Sequence, residues 1–229
     1  MKHKLISVFL LVALLISPLA YSSDFRKGVD AFQKEDFQQA YQVFSSLANQ
    51  GDALAQFTLG FMYENGQGVP QNDIEAVRWY HAAAEQGDAL AQLSLGVRYT
   101  EGRGVPQNDA EAIRWYRAAA EQGQAQAQIN LGARYIQGKG VPQNDAEAIR
   151  WFRAAAEQGD AQAQFRLSSM YFIGGGVVQN HVQAHMWANI AASQGNQNAV
   201  KLRNQLAEEM TPTQIQEAQK LAQEWVNSR

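Results

Sequence analysis

The sequence predicts an all-α protein, a right-handed superhelical solenoid of stacked helical hairpins with capping helices at its N- and C-terminal ends. Three observations lead to this prediction. Alanine is abundant while the chain of 229 residues has only five prolines, a unit of 36 residues recurs, and each unit holds two amphipathic segments separated by glycine-rich turns. One helical hairpin cannot bury its apolar stripe alone, whereas stacked copies share a continuous core.

Residues 1–22 have the features of a secretory signal peptide. Two lysines precede an apolar run from Leu5 to Ile16, and Ala20 and Ser22 supply small residues at the positions that a signal peptidase reads. The run is shorter than the roughly 20 residues that a membrane span needs, so we expect cleavage rather than an uncleaved anchor. The mature protein is then periplasmic or secreted, of bacterial origin, and without a membrane span.

The net charge limits the kinds of partner that the protein can bind, and the cysteine count shows how the fold is stabilised. The chain has 19 lysines and arginines against 22 acidic residues, and removal of the two leader lysines leaves 17 against 22, a net charge of −5. This balance argues against nucleic acid and anionic lipid as partners. Because cysteine is absent, the fold has no disulfides and depends on packing.

Equivalent residues return every 36 positions. The recurring residues are Gly51, Gly87, Gly123, Gly159 and Gly195; Trp79, Trp115, Trp151 and Trp187; Tyr63, Tyr99, Tyr135 and Tyr171; and Gly68, Gly104, Gly140 and Gly176. We expect residues 23–50 to form an N-terminal capping hairpin, residues 51–194 four repeats, and residues 195–229 the C-terminal capping helices.

Each repeat is expected to form two helices, here called helix A and helix B. In the third repeat, helix A covers about 125–137 and ends at Gly138, since glycine adopts the left-handed conformation of a helix end without strain. Asn144 or Asp145 is expected to cap helix B, and with Asn144 as the cap, Glu147 is placed to complete a capping box. Gly159 ends helix B.

The C-terminal segment carries its own helix-start signal. Thr211 is a candidate cap, Pro212 occupies the first helical position, and Gln214 is placed to reach back to the cap. The following helix has one apolar side that ends at Trp225. We expect it to cover the exposed core of the last repeat.

The recurring pattern resembles the Sel-one-like repeat, a relative of the tetratricopeptide repeat. Three intact copies occur, at Ala55–Gly87, Ala91–Gly123 and Ala127–Gly159, and the fourth departs at Ser168, Val178 and Ala188. The resemblance implies an adaptor that binds proteins. It also implies that helix A lines the concave groove of the solenoid.

One side of helix A changes between copies while the other side is constant. The units 87–122 and 123–158 differ at nine positions, seven of which lie in or just before helix A. Six of these fall within an arc of roughly 120° on a helical wheel, and Leu95, Gly96 and Tyr99 lie on the constant side. The constant side is therefore expected to pack, and the changing side to face solvent or a ligand.

We expect the changing side to form a groove that binds a peptide or a helix. The candidate groove residues are Thr58, Phe61, Met62, Ser94, Val97, Arg98, Asn130, Ala133, Arg134, Arg166, Ser169 and Met170. Arg98 and Arg134 have two interpretations, contact with the carboxylates of a partner or a structural ladder with neighbouring acids. Phe61 and Val97 can serve either the partner or the packing between repeats.

No motif points to catalysis or to a metal. The glycine–lysine–glycine turn at 138–140 lacks the features of a phosphate loop, and neither G-x-S-x-G nor S-x-x-K occurs. His181 and His185 have the spacing of two ligands on a helix, but His185 stands in the apolar stripe, which favours packing. Acidic pairs such as Asp109 and Glu111 recur at each start of helix B, where capping explains them.

The sequence thus favours a monomeric, non-enzymatic scaffold for a protein or peptide, with no cofactor. One alternative is a protein that binds cell-wall fragments or other small ligands in the groove. The tryptophans are candidate platforms for sugars, but their exact period at one point of helix B favours packing. A more remote alternative is a cell-wall hydrolase.

Overall fold

The computed structural model describes residues 22–228, and its regular secondary structure there is entirely helical. The twelve helices in this range are α1 (Ser23–Gln33), α2 (Phe37–Asn49), α3 (Ala53–Asn65), α4 (Asp73–Glu85), α5 (Ala89–Glu101), α6 (Asp109–Glu121), α7 (Ala125–Gln137), α8 (Asp145–Glu157), α9 (Ala161–Ile173), α10 (His181–Ser193), α11 (Gln197–Glu209) and α12 (Pro212–Asn227). The all-α prediction is confirmed. The predicted signal peptide lies outside the described residues, apart from Ser22.

The chain divides into two compact units, the first ending at Asn108 and the second beginning at Asp109. In the first unit each helix from α1 to α5 packs on the next one along the chain. Its core holds Phe25, Phe44 and Tyr80, which are almost completely buried. The Phe25 and Phe44 rings meet edge to face at a centroid distance of 5.3 Å, an arrangement that aromatic pairs favour.

In the second unit the helices from α6 to α11 also pack in chain order, and α12 folds back onto α10. The core of this unit includes Leu167, Trp187 and Leu206. Trp225 of α12 meets Trp187 edge to face at 5.4 Å. The last helix therefore covers the core of the final repeat, as its apolar side predicts.

Caps at both ends fix the length of each helix A. Asp160 accepts a hydrogen bond from the backbone N–H of Ala163 at 2.8 Å, and Asp52 and Asp88 act in the same way. Gln124 stands at the equivalent position before α7 and makes no side-chain cap. At the other end, Gly138 has a φ of 63° and closes α7.

The caps of the B helices agree only in part with the predicted capping box. The Asn144 side chain accepts a hydrogen bond from the backbone N–H of Glu147 at 3.0 Å. The Glu147 carboxylate instead pairs with Arg150 at 3.4 Å, so the reciprocal bond is missing. The complete box occurs at α12, where Thr211 and Gln214 bond in both directions.

A second glycine in each turn lets the turn lie against the preceding B helix. A Cβ atom added at Gly140 would stand 2.3 Å from the backbone oxygen of Asp109, and one added at Gly104 would stand 2.1 Å from that of Asp73. Only glycine fits this approach, which explains why the residue returns in every repeat. The contact holds consecutive repeats together.

The departures of the fourth copy compensate one another. In the third copy, a Cβ atom at Gly132 would stand 2.8 Å from the Phe152 ring, so the ring requires the glycine. In the fourth copy the aromatic residue is replaced by Ala188, and Ser168 occupies the glycine position. The Ser168 hydroxyl is fully buried and donates to the backbone oxygen of Ala184 at 2.6 Å.

A row of buried glutamines links the repeats. These glutamines, Gln56, Gln92, Gln128 and Gln164, are at most 7% exposed. The Gln164 amide donates to the backbone oxygen of Ala156 at 3.2 Å, and its oxygen accepts from Gln194 at 2.8 Å. Each side chain thus satisfies a carbonyl near the end of the preceding B helix, where the helix leaves it without an internal donor.

Candidate protein-binding surface

The helix-A face is formed by α3 and α5 in the first unit and by α7 and α9 in the second. Of the twelve residues predicted to bind a partner, five are buried: Thr58, Phe61, Met62, Arg98 and Met170. Six are half-buried, namely Ser94, Val97, Asn130, Ala133, Arg134 and Ser169, and Arg166 is exposed. The five buried side chains must be removed from the predicted set of contact residues.

The N-terminal hairpin explains the burial on α3. The Phe61 ring lies 6.5 Å from that of Phe32 in α1 and belongs to the same apolar cluster, which also contains Met62. The Thr58 hydroxyl donates to the backbone oxygen of Leu54 at 2.7 Å. The packing interpretation therefore applies to Phe61, and the face of α3 is largely occupied by the protein itself.

Arg98 belongs to a charged network inside the first unit. Its guanidinium pairs with Glu64, and with Asp73 at 3.1 Å, while only 3% of its side chain is exposed. Tyr80 donates to Glu64 at 2.7 Å, and burial, followed by the charge of Glu64, raises the pKa of Tyr80 well above its ordinary value. Arg98 thus forms the structural ladder, and the prediction that it meets a partner's carboxylates is wrong.

Arg134 occupies the equivalent position in the second unit and has a simpler environment. It bonds Asp109 at 3.0 Å, and 12% of its side chain is exposed. Thr100, which precedes Arg134 by 34 positions as Glu64 precedes Arg98, carries no charge. Arg134 therefore also pairs with a neighbouring acid of the chain itself, with one acid where Arg98 has two.

Exposed polar side chains of the helix-A face lie on α7 and α9. Gln126 is exposed and donates to Asn130 at 3.1 Å. Arg166, the equivalent of Asn130 one repeat later, is exposed and has no counter-ion among residues 22–228. The Ser169 hydroxyl bonds within its own helix, to the backbone oxygen of Phe165 at 3.0 Å.

The histidines do not form a metal site in the part of the chain that the structure describes. No group of three histidine, cysteine, aspartate or glutamate side chains is placed there to hold a metal ion. His181 contacts the Gln179 amide at 3.2 Å. His185 is buried, with 3% of its surface exposed, and burial followed by the charge of Arg203 lowers its pKa.

The periodic tryptophans pack rather than present open ring faces. The Arg150 guanidinium lies over the Trp151 ring at 5.0 Å, and the same residue pair recurs one repeat earlier at 4.6 Å and two repeats earlier at 4.7 Å. Trp151 is 7% exposed. A sugar ring therefore has no free indole face to stack on at this position.

The acids at the starts of the B helices are engaged in local contacts. Asp109 pairs with Arg134 at 3.0 Å and Glu111 with Arg114 at 3.2 Å. Neither pairing leaves two carboxylates facing a common substrate position. Their recurrence is explained by the structure of the repeat.

Comparison with known proteins identifies the repeat. The model of the Sel1 repeat matches residues 53–88, 89–124, 125–160 and 161–196. No curated protein matches the chain. Across residues 22–228, no helix has both the length and the apolar character of a membrane span.

Solved structures agree with this match. A Sel1 repeat protein from Oxalobacter formigenes is 32% identical, with 87% of this chain and 83% of that chain covered and a TM-score of 0.76. A protective antigen of uropathogenic Escherichia coli with an SLR fold is also 32% identical, with 84% of this chain and 49% of that chain covered and a TM-score of 0.54. A Sel1 repeat protein from Klebsiella pneumoniae shares the fold at 21% identity, with coverages of 80% and 91% and a TM-score of 0.50.

Sel1 repeat proteins are generally protein-interaction scaffolds, and the fold is typically non-enzymatic. They are often extracytoplasmic. The four matched repeats take up more than half of the sequence. The chain therefore belongs to the Sel1 repeat family.

Proposed function

We propose that this chain is a non-enzymatic scaffold that binds a protein or peptide through its helix-A face, chiefly on α7 and α9. One observation carries the proposal. Five of the six residues of α7 that differ from those of α5 keep accessible surface, Ile129 being the exception, and four of the seven constant residues are buried. A surface of this kind can diverge towards a partner without any cost to the core.

The third repeat illustrates this division within one helix. On α7, Ala127 and Leu131 are fully buried, and the second and third repeats share them. Gln126, Asn130 and Ala133 differ from their counterparts in the second repeat; Gln126 is exposed, and the other two are half-buried. The helix therefore separates a packing side from a side that is free to contact another molecule.

The contacts of the other chemically active side chains favour a scaffold over the two alternatives. Five of the six acids at the starts of α4, α6 and α8 pair with arginines, which weighs against a hydrolase. The indole face of Trp151 is covered, which weighs against a platform for sugars. Binding of a polypeptide needs neither feature.

The proposal includes a periplasmic or secreted location and a monomeric state. The leader-like residues 1–22 support export, and the capping elements before and after the four repeats support a single copy. Cell fractionation and N-terminal sequencing should find a mature chain that begins at Ser23. Light scattering should give a mass below the 25.4 kDa of the full chain. A chain retained in the cytoplasm or a stable dimer contradicts these parts.

Bulky substitutions test the binding face. Gln126→Trp and Gln162→Trp enlarge exposed side chains at equivalent positions of α7 and α9, and Glu157→Trp is a matched control at an exposed position of α8. We expect the two face variants to lower the recovery of co-purified partner proteins from the native compartment. The control should leave the recovery unchanged. Equal recovery with all three variants contradicts the proposed face.

A further inference from the structure

The charges of α7 and α9 point to the chemistry of the partner, an inference that rests on the proposed function. Neither helix contains an aspartate or a glutamate, and each contains one arginine. Arg134 is neutralised by Asp109, whereas Arg166 is exposed and has no counter-ion among the described residues. In the first unit, by contrast, Glu64 and Glu101 stand on α3 and α5. The second unit thus presents an uncompensated cation on a face without acids.

Apart from Arg166 and Ile173, the exposed side chains of α7 and α9 are carboxamides. Gln126 and Asn130 follow the same side of α7, at equivalent positions to Gln162 and Arg166 of α9. A carboxamide offers both donors and an acceptor, which match the free N–H and C=O groups of an extended peptide. A helical ligand has already satisfied those groups internally and needs an apolar groove instead.

One exposed apolar side chain lies at the C-terminal end of the same face. Ile173 is 68% exposed and occupies the position that Gln137 holds one repeat earlier. Arg166 and Ile173 are seven residues apart in α9, which corresponds to about 10.5 Å along the helix axis. An extended peptide covers that distance with about three residues.

We propose that the α7–α9 face binds an extended acidic peptide, in which a carboxylate pairs with Arg166 and an apolar side chain about three residues away contacts Ile173. The carboxamides of Gln126 and Asn130 bond to the peptide backbone. The guanidinium donates two parallel hydrogen bonds to a carboxylate, a geometry that a lysine does not offer. The interaction weakens as salt increases, because the charges are exposed.

Labelled peptides of ten residues test this inference by fluorescence anisotropy. The acidic peptide places an aspartate three residues from a leucine in a glycine–serine background, in both orders, and its control carries asparagine in place of aspartate. We expect the acidic peptide to bind more tightly. Arg166→Gln should weaken its binding about tenfold or more, the loss of one charge-assisted contact.

Lys220→Gln is the matched control, since it removes one positive charge from an exposed position of α12. It should leave the affinity unchanged. Equal binding of the asparagine peptide, an equal loss with Lys220→Gln, or no binding of any peptide overturns the inference. If the Gln126→Trp and Gln162→Trp variants still lower partner recovery in that case, the proposed function stands without it.

Discussion

The two units use the same helix-A position in different ways. Arg98 in the first unit is buried between two acids, whereas Arg134 in the second unit pairs with Asp109 alone and keeps part of its surface accessible. The backbone elements around them are the same. The comparison shows that this repeat tolerates a change in the number of acids around one arginine, and that Gln126, Gln162 and Arg166 are exposed where the first unit has buried or half-buried residues.

The largest expected effect comes from breaking the buried network. Arg98→Met leaves Glu64 without its cation, while Asp73 keeps Arg103 at 3.1 Å, and should lower the free energy of unfolding by about 3 kcal/mol. Arg134→Met should cost only about 1 kcal/mol, because its partner is more exposed and screened. Urea unfolding of both variants measures the difference.

A double variant tests whether the stability lost by Arg98→Met comes from the unpaired carboxylate or from lost packing. Glu64→Ile combined with Arg98→Met places in the first unit the residues that stand at 136 and 170 in the second. We expect the pair to recover part of the stability lost by Arg98→Met. Equal costs for Arg98→Met and Arg134→Met would contradict the contrast between the units.

The paired replacements of the fourth repeat, Ser168 and Ala188, predict an effect of intermediate size on the free energy of unfolding. Ala188→Phe restores the usual aromatic residue but meets Ser168 where other copies have glycine, so overpacking should cost about 1–3 kcal/mol. Ser168→Gly added to it should return part of that loss. Thermal unfolding of the single and double variants gives the coupling, and strictly additive effects would refute the compensation.

The missing cap on α7 predicts a gain of stability. Gln124→Asp gives α7 the cap that Asp160 provides for α9 and should raise the free energy of unfolding by about 1 kcal/mol. Asp160→Gln is the mirror-image control and should lower it by a similar amount. No change in the urea midpoint of either variant would show that the caps contribute little.

The smallest effect is confined to acidic solution. His185 stands where the other repeats have Val77, Ile113 and Ile149, and burial lowers its pKa from 6.5 in the folded state. The unfolded chain therefore binds the proton first, and stability is lost as the pH falls below about 6.5. His185→Ile should remove this part of the pH dependence between pH 7 and pH 5. An unchanged pH profile would exclude His185 as its source.

The sequence predicted the helices well because their ends carry local signals. α7 spans Ala125–Gln137, the range expected for helix A, since Gly138 alone suffices to stop it. The buried glutamines were missed, although their constancy at 36-residue intervals on the packing side was a visible signal. The burial of Arg98 was not predictable from spacing, because it depends on Glu64 and Asp73 meeting it from other helices.

The binding face was predicted at the level of the helix but not of the residue. A helical wheel assigns Phe61 to the changing side, yet the hairpin of α1 and α2 covers it. A helical wheel built from two interior repeats does not show this burial, because only the first repeat packs against the N-terminal hairpin. Arg166 was predicted for the face, and it is exposed.

Photo-crosslinking at one repeat position tests the central claim most directly. A crosslinking residue is placed in turn at Thr58, Ser94, Asn130 and Arg166, which are equivalent in the four repeats, and at Arg150 on a B helix. We predict partner adducts at 130 and 166, few at 94, and none at 58 or 150. Adducts at 58 or 150 equal to those at 130 and 166 would contradict the account.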